Sequence, residues 1–294
     1  MRGAAKVVAM LWLCAAFAHV HASGAAAAVR KQAEGSMLVT GHVVIAPDGT
    51  VAEWSIDGRD SLPPAVAGLI DASAVTWRFE PEVVDGVPRT ATAPMSLRVV
   101  AQPIENGQQF QIAIASGHFG GDALAPGTSS TPDRIRSLTM RPPSYPDSAA
   151  QVGARGTVYV VMQIDRDGKV SDAFAEQVNL KVVASPRQMS QLRDVFARSA
   201  LRAARTWTFL PPTTGQAADE LHWFVRVPVE YFLDGQKDVA YGQWDIYVPG
   251  PRQNAPWRAL EDLEGFQIPS DSLIAGEIYQ VGTGRKLLTP LQGG

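Results

Sequence analysis

The side chains that could carry out chemistry are few, and their spacing does not suit catalysis or metal binding. Three histidines lie beyond the N-terminal apolar segment, and none has a second histidine three or four positions away, as a helical zinc site requires: His42, His118 and His222. Asp165 and Asp167 flank an Asp-Gly turn, where carboxylates usually bond to backbone N–H groups. We therefore expect no catalytic residue, no cofactor and no metal, and we expect the protein not to be an enzyme.

Composition and charge exclude further classes of activity. The protein has 26 lysines and arginines against 29 aspartates and glutamates, which gives no electrostatic reason to bind nucleic acid or anionic lipid. The single cysteine, Cys14, lies inside the N-terminal apolar segment, so a protein that lost this segment would have no disulfide and no thiol nucleophile. The sequence also contains no G-x-S-x-G, Walker or G-x-G-x-x-G motif.

Two sets of side chains are candidate binding surfaces. Trp77 and Trp207 each follow a predicted helix and could stack on a ligand, although a ring in this position usually seals the helix against its sheet. Arg198, Arg202 and Arg205 share one face of a predicted helix and could meet an acidic partner, although a solvated helix face is more common. We expect both sets to be structural.

The strongest candidate site is a stretch of backbone. Residues 221–232 form the longest predicted strand, and the last strand of a small antiparallel sheet commonly lies at an edge. Its N–H and C=O groups would accept a strand of another protein, although Pro228 removes one donor. The predicted contact residues are Leu221, Trp223, Val225, Arg226, Val227, Val229 and Tyr231. If that edge is free, proline substitutions at Val225 and Val227 are expected to abolish partner binding without unfolding the domain.

Two stretches of the sequence show the same order of signals, which predicts two related structural units. Each has a strand, an Asp-Gly turn, a second strand, a helix, a Thr-Trp-x-Phe-x-Pro motif, a glycine loop and a last strand. The motifs are Asp48-Gly49, Trp77-Arg78-Phe79-Glu80-Pro81 and Gly86 in the first stretch, and Asp167-Gly168, Trp207-Thr208-Phe209-Leu210-Pro211 and Gly215 in the second.

Local patterns predict the bounds of these elements. The first unit has predicted strands at 37–46, 50–56, 95–101 and 110–115, and a helix at about 61–76. The second has predicted strands at 156–164, 169–178 and 221–232. Its helix begins with a capping box at Ser185 and Gln188, with Pro186 in the first turn. Beyond residue 237 we expect strands at 245–248 and 277–281 and a short helix at 256–263.

The N-terminus predicts export from the cytoplasm. Arg2 and Lys6 precede an apolar stretch at 7–18, and Val20-His21-Ala22 fits a signal-peptidase site. A helix of about twelve residues spans about 18 Å, which is less than the ~30 Å hydrocarbon core of a membrane. We expect cleavage after Ala22 and a periplasmic protein, and an uncleaved inner-membrane anchor is the alternative.

The predicted domain organisation combines these features. Its boundaries are 1–22 for the signal peptide, 23–35 for a flexible leader, 36–116 for the first unit, 117–139 for a Gly/Pro/Ser linker, 140–236 for the second unit and 237–294 for a C-terminal extension. The predicted fold class is α+β, with two tandem two-layer units, each a helix packed on a small antiparallel β-sheet.

The second unit resembles the C-terminal domain of the TonB energy transducers over residues 140–235. The resemblance rests on Pro143-Ser144-Tyr145-Pro146, Ala149-Ala150, Gly156-Thr157-Val158-Tyr159-Val160, Asp167-Gly168-Lys169-Val170, Trp207-Thr208-Phe209-Leu210-Pro211, Gly215 and Arg226-Val227-Pro228-Val229. The first unit looks like a diverged copy, because it keeps the Asp-Gly and Trp-x-Phe-x-Pro motifs but has no Tyr-Pro pair ahead of them.

This resemblance implies a function without enzymatic activity. The family binds the "TonB box" segment of outer-membrane receptors by strand addition, which places that contact on residues 221–232, with Tyr145 and Pro146 near the receptor plug. The sequence departs from the family because no Pro-rich spacer follows its N-terminal segment, and Pro142 stands where classical members carry glutamine. We expect a periplasmic TonB-like protein that binds an envelope protein, with energy transduction as the family's activity. The alternative is an envelope scaffold without energy coupling.

Overall fold

A computed structural model describes residues 33–104, 109–120, 132–233, 235–236, 239–254, 256–257 and 270–292. The predicted signal peptide, nearly all of the predicted leader and the middle of the predicted linker lie outside these residues. The described residues divide into two compact units. The first contains those up to 119, those from 239 to 247 and those from 285 onward, and the second contains those at 120–238 and 248–284.

The described strands and helices follow the order of the predicted elements, with several additions. In sequence order they are β1 (Glu34–Ile45), β2 (Val51–Ile56), α1 (Pro64–Ala74), β3 (Glu82–Val84), β4 (Val87–Arg89), β5 (Ala91–Ile104), β6 (Gln109–Phe119), β7 (Arg136–Thr139), α2 (Asp147–Ala150), β8 (Gly156–Asp165), β9 (Val170–Leu180), α3 (Pro186–Ala204), β10 (Thr208–Leu210), β11 (His222–Tyr231), β12 (Asp245–Tyr247) and β13 (Tyr279–Gln280). The protein is therefore α+β with antiparallel sheets, as the sequence predicts.

The first unit is an antiparallel sheet with one helix. Its strands lie in the order β12-β1-β5-β6, and β2 also pairs with β1. One apolar cluster joins the sheet to α1 and includes Val39, Leu97, Ile70 and Trp77, all fully buried. The helix starts later than predicted because Pro63 is extended, with ψ of 133°.

The hairpin of β3 and β4 was not predicted. Its two-residue turn consists of Asp85 and Gly86, both with positive φ, which is the backbone that a tight hairpin turn of this type requires. Its strands are only three residues long and lack the alternation of apolar and polar residues that identifies a longer strand.

The second unit is a sheet in the order β13-β11-β8-β9 with α3 packed on β8 and β9. The predicted capping box is confirmed: Gln188 N–H donates to Ser185 Oγ, and the N–H of Ser185 donates to Gln188 Oε1. Met189, Leu192, Phe196 and Ala200 form the buried stripe of this amphipathic helix. A separate pair of short strands, β7 and β10, was not predicted.

The two units show the same internal strand order. In the first, β1 pairs with its hairpin partner β2 and with β5, and in the second, β8 pairs with its hairpin partner β9 and with β11. The helix follows the hairpin in both. That the first unit is a diverged copy of the second stays a prediction.

The described residues after 238 belong to the two units. Strand β12 pairs with β1, residues 248–250 lie beside β9, β13 pairs with β11, and Leu287 and Leu291 pack on the core of the first unit. The predicted strands at 245–248 and 277–281 are present in shortened form. The predicted helix at 256–263 lies almost entirely outside the described residues.

Candidate partner-binding edge

Strand β11 presents alternate backbone groups to its two neighbours. Its ten residues pair with β8 over the whole length, from His222 opposite Asp165 to Tyr231 opposite Gly156. On the other side, the C=O groups of Phe224 and Pro228 accept hydrogen bonds of 2.9 Å from Val281 and Gly276. Because successive residues of a strand point their N–H and C=O groups in opposite directions, the even-numbered residues of β11 face away from β8 and the odd-numbered residues face towards it.

Because of this alternation, proline at Val225 or Val227 cannot serve as a test of partner binding. Val225 and Val227 are odd-numbered, so their N–H groups face β8, and proline at either position would break the central ladder of the sheet. The expectation that these substitutions spare the fold is therefore wrong. Pro228 occupies an even position, so its missing N–H removes no hydrogen bond between β11 and β8.

Most of the predicted contact side chains are core residues. Trp223, Val225, Val227, Val229 and Tyr231 are all buried. Tyr231 stacks on Phe196 of α3 with ring centroids 4.5 Å apart, and the alternation of a strand places the other four side chains on that same helix-facing side. Leu221 is different, because it precedes β11 and is 74% exposed. The side chains of the five core residues are therefore buried, and their odd-numbered backbone groups face β8. The groups that face a partner belong to the even-numbered residues of β11.

Arg226 lies on the opposite face of the sheet in a buried ionic cluster. Its Nε atom is 2.8 Å from Glu176 Oε2, and Arg252 Nη2 lies 2.6 Å from Glu176 Oε1. The Glu176 side chain is fully buried. Burial lowers the pKa of the Arg226 guanidinium, and the charge and hydrogen bonds of Glu176 act in the opposite direction. The side chain of Arg226 is therefore held in the interior. Its backbone groups face away from β8, because 226 is an even-numbered position.

An aromatic group covers the same face beside the ionic cluster. Trp257 stacks on Phe224 with ring centroids 5.6 Å apart and meets Phe174 edge-on at 5.4 Å. Its indole Nε1 donates to Asp172 Oδ2 at 3.2 Å. Neither Arg252 nor Trp257 stood out in the sequence, because contacts between distant segments leave no local pattern.

The Tyr-Pro pair that precedes the second unit is packed into it. The hydroxyl of Tyr145 donates to the C=O of Ala154, and its ring lies 5.9 Å from Phe196 and 6.0 Å from Tyr231. Pro146 is the N-cap residue of α2. Burial raises the pKa of Tyr145 and raises the pKa of Tyr231 to about 12. These positions shape the end of the sheet next to β11.

The two tryptophans lie in the core, as the sequence predicts, and the arginine stripe lies on an exposed helix face. Trp77 and Trp207 are buried, and their indole N–H groups donate to the backbone carbonyl oxygens of Leu291 and Arg141 at 3.0 and 2.9 Å. The three arginines of the α3 stripe are exposed: Arg198, Arg202 and Arg205. Asp165 shapes its turn by accepting the N–H groups of Asp167 and Lys169.

The described part of the protein was also searched for clustered metal ligands and for membrane-spanning helices. No group of three His, Cys, Asp or Glu side chains within it is placed to hold a metal ion. None of its helices is long and apolar enough to cross a membrane.

Comparison with known proteins identifies the family of the second unit. Residues 141–233 match the sequence model described as "Gram-negative bacterial TonB protein C-terminal". The protein is similar to "Protein TonB" of two strains of Xanthomonas campestris pv. campestris, at 35% identity over 101 residues. This alignment covers 34% of the protein and 39% of each relative. A similarity was also found to the solution NMR structure of the Pseudomonas aeruginosa TonB CTD, at 22% identity and a TM-score of 0.25, covering 39% of this protein and 98% of that one.

The resemblance seen in the sequence is thereby confirmed over residues 141–233. The second unit therefore contains a TonB C-terminal domain, and the matched residues include β11. The protein spans about two fifths of the length of the curated relatives that it matches, so the match concerns this domain.

Proposed function

We propose that the protein is a periplasmic TonB-type protein that binds an envelope protein by β-strand addition to the edge of β11. The observation that carries this proposal is the orientation of the even-numbered residues, whose backbone groups face away from β8 along a ten-residue strand. An added strand gains backbone hydrogen bonds along such an edge, and its side chains set specificity.

The surroundings of β11 support this function. The strand is held rigidly, since β8 pairs with its whole length and α3 covers one face through residues such as Phe196. Exposed apolar side chains flank it at both ends, with Leu221 at 74% and Phe232 at 55% exposure. These two residues are the side chains that an added strand would contact first.

The proposed partner is an outer-membrane receptor with an extended segment of the TonB-box kind. This choice follows from the family of residues 141–233. Energy transduction is the activity of that family, and we extend it to this protein as part of the proposal. It requires an intact N-terminal segment in the membrane, which N-terminal sequencing of the protein from its host would detect. A start at residue 23 would contradict direct coupling to an inner-membrane motor and leave only the binding function.

The binding mode is tested by a matched pair of substitutions at one even-numbered position. Glu230→Pro removes an N–H that faces the edge and leaves the pairing with β8 intact. Both this substitution and Glu230→Ala remove the 2.6 Å ion pair with Lys181, so the alanine variant is the control. We expect the proline variant to bind detergent-solubilised outer-membrane receptors of the host about 10-fold more weakly than the alanine variant.

Two outcomes of this experiment are decisive. Equal binding by the two folded variants would contradict strand addition at this edge. Absence of receptor binding by the wild-type protein and both variants would instead favour a scaffold without energy coupling. Circular dichroism checks that the two variants keep the wild-type fold.

A further inference from the structure

The edge of β11 that would receive a partner is occupied by a segment of the same protein. Strand β13 pairs antiparallel with β11, with Gln280 opposite Val225 and Tyr279 opposite Arg226. The N–H groups of Gly276 and Val281 close this contact at either end. The occupying segment, residues 276–281, therefore bonds to the same even-numbered groups that strand addition uses.

Apolar side chains anchor the occupying segment. Ile278 and Tyr279 are buried at 1% and 3% exposure, and Val281 packs with Phe224 and Val161. The hydroxyl of Tyr279 accepts the N–H of Ile274 at 2.9 Å and donates to Glu277 Oε2 at 2.8 Å. The segment therefore sits in a defined conformation and covers apolar surface.

The described residues at 248–257, which precede the occupying segment in the sequence, also pack on the second unit. Val248 exchanges two backbone hydrogen bonds with Leu180 of β9, and Arg252 and Trp257 cover the face of the sheet next to Glu176 and Phe224. A strand in the same protein competes with an external strand as an intramolecular ligand, independently of protein concentration. An external partner must overcome that competition.

The pairing itself is short, which makes replacement possible. β13 has two residue pairs with β11, whereas β8 has ten. The register of the occupying segment against β11 also shifts. The pairs of β13 would place Glu277 opposite Pro228 if they continued, but the N–H that bonds to Pro228 is that of Gly276. Pro228 itself offers no N–H to this edge. An external strand that pairs over more of β11 would form more hydrogen bonds than the segment it replaces.

We propose that residues 276–281 are an intramolecular occupant of the partner-binding edge, which a partner strand must displace before it binds. This inference rests on the proposed function for the identity of the natural partner, and the occupancy can be measured without that partner. The fraction of molecules with a free edge then sets the apparent affinity for any added strand.

A pair of proline substitutions separates the occupant's hydrogen bonds from its side chains. The N–H of Val281 bonds to Phe224, so that of Gln280 points away from β11 by the alternation of a strand. Val281→Pro removes a bond to the edge, and Gln280→Pro does not. Val281→Ala controls for loss of the apolar side chain.

The experiment uses the whole protein and a synthetic peptide with the sequence of residues 274–283 as the probe strand. We expect Val281→Pro to bind this peptide at least about 10-fold more tightly than the wild type, with faster amide exchange at Phe224 and Arg226. Gln280→Pro should behave as the wild type does. Faster exchange without tighter peptide binding, or unchanged exchange in Val281→Pro, would overturn the inference.

Failure of this inference and failure of the proposed function have different signatures. The peptide assay contains no envelope protein, so it reports the occupancy alone. If the peptide binds Val281→Pro but outer-membrane receptors bind neither this variant nor the wild type, the occupancy holds and the proposed partner is wrong. If receptors bind the wild type and Val281→Pro equally, while Glu230→Pro weakens binding, the edge is the site and the segment does not regulate it.

Discussion

The backbone N–H of Phe209 donates a hydrogen bond to the C=O of Gly168 at 2.7 Å, and the pair Phe79 and Gly49 repeats this bond at 2.8 Å in the first unit. In both units, the Asp-Gly turn of the hairpin is thus hydrogen-bonded to the Trp-x-Phe-x-Pro segment that follows the helix. The two most conspicuous motifs of the sequence meet in space, and their role is to close the fold.

Alanine at Gly168 should destabilise the second unit strongly. A Cβ there would lie 2.0 Å from the C=O oxygen of Phe209, and the backbone has φ of +77°. Gly153→Ala is the control, because its φ is also positive while its Cβ would meet only a side-chain atom at 3.6 Å. We expect a loss of about 1–2 kcal/mol for the control and at least about 3 kcal/mol for Gly168→Ala, measured by urea unfolding. Equal losses would show that the close approach is unimportant.

Removal of the helix cap should weaken the second unit moderately. Ser185 both caps α3 and receives the N–H of Gln188. Ser185→Ala is expected to lower the free energy of unfolding by about 1 kcal/mol. Ser185→Thr keeps the hydroxyl and should retain most of the stability. A similar loss in both variants would mean that the capping box contributes little here.

Loss of one charge from the buried ionic cluster should destabilise the second unit more than loss of both charges of the pair Glu176 and Arg226. Glu176→Gln leaves Arg226 buried without a counter-charge, and we expect a loss of about 3–5 kcal/mol in the free energy of unfolding. Glu176→Leu combined with Arg226→Met removes both charges and should recover most of that loss. Arg252, with a side chain 28% exposed, can turn to solvent in the double variant. No recovery would show that the cluster itself is required for folding.

Stability should fall in alkaline solution because of Tyr231. Burial raises its pKa from 10.0 to about 12, so the native state favours the neutral phenol. Its contribution is fully present below pH 10, where the phenol of the unfolded protein is also neutral, and is lost as the pH rises towards 12. Tyr231→Phe should make the pH dependence of unfolding shallower between pH 10 and 12. An unchanged slope would contradict this assignment.

The sequence predicted a helix or strand well where that element had a complete set of local signals. The capping box and amphipathic stripe identified α3, and alternation with an Asp-Gly turn identified β8 and β9. The strand predicted at 221–232 is present as β11. These elements carry their own caps, turns and periodicity, so a single stretch of sequence is enough to identify them.

The environment of the candidate site could not be predicted in the same way. The pairing of β13 with β11 joins residues more than fifty positions apart in a two-residue strand, which has no periodicity to detect. The partnership of Glu176 with Arg226 and Arg252 likewise depends on three separate segments. The sequence predicted the strand that became β11 but gave no sign of the segment that pairs with its outer side.

The central claim is that a partner protein adds a strand at the edge of β11, and crosslinking in cells tests it most directly. A photo-crosslinking amino acid would replace Glu230 at the edge, and Arg198 on the exposed face of α3 in a matched variant. We predict crosslinks to outer-membrane receptors from position 230, increased by Val281→Pro, and none from position 198. Crosslinks to such receptors from position 198 alone, or from neither position, would contradict the account.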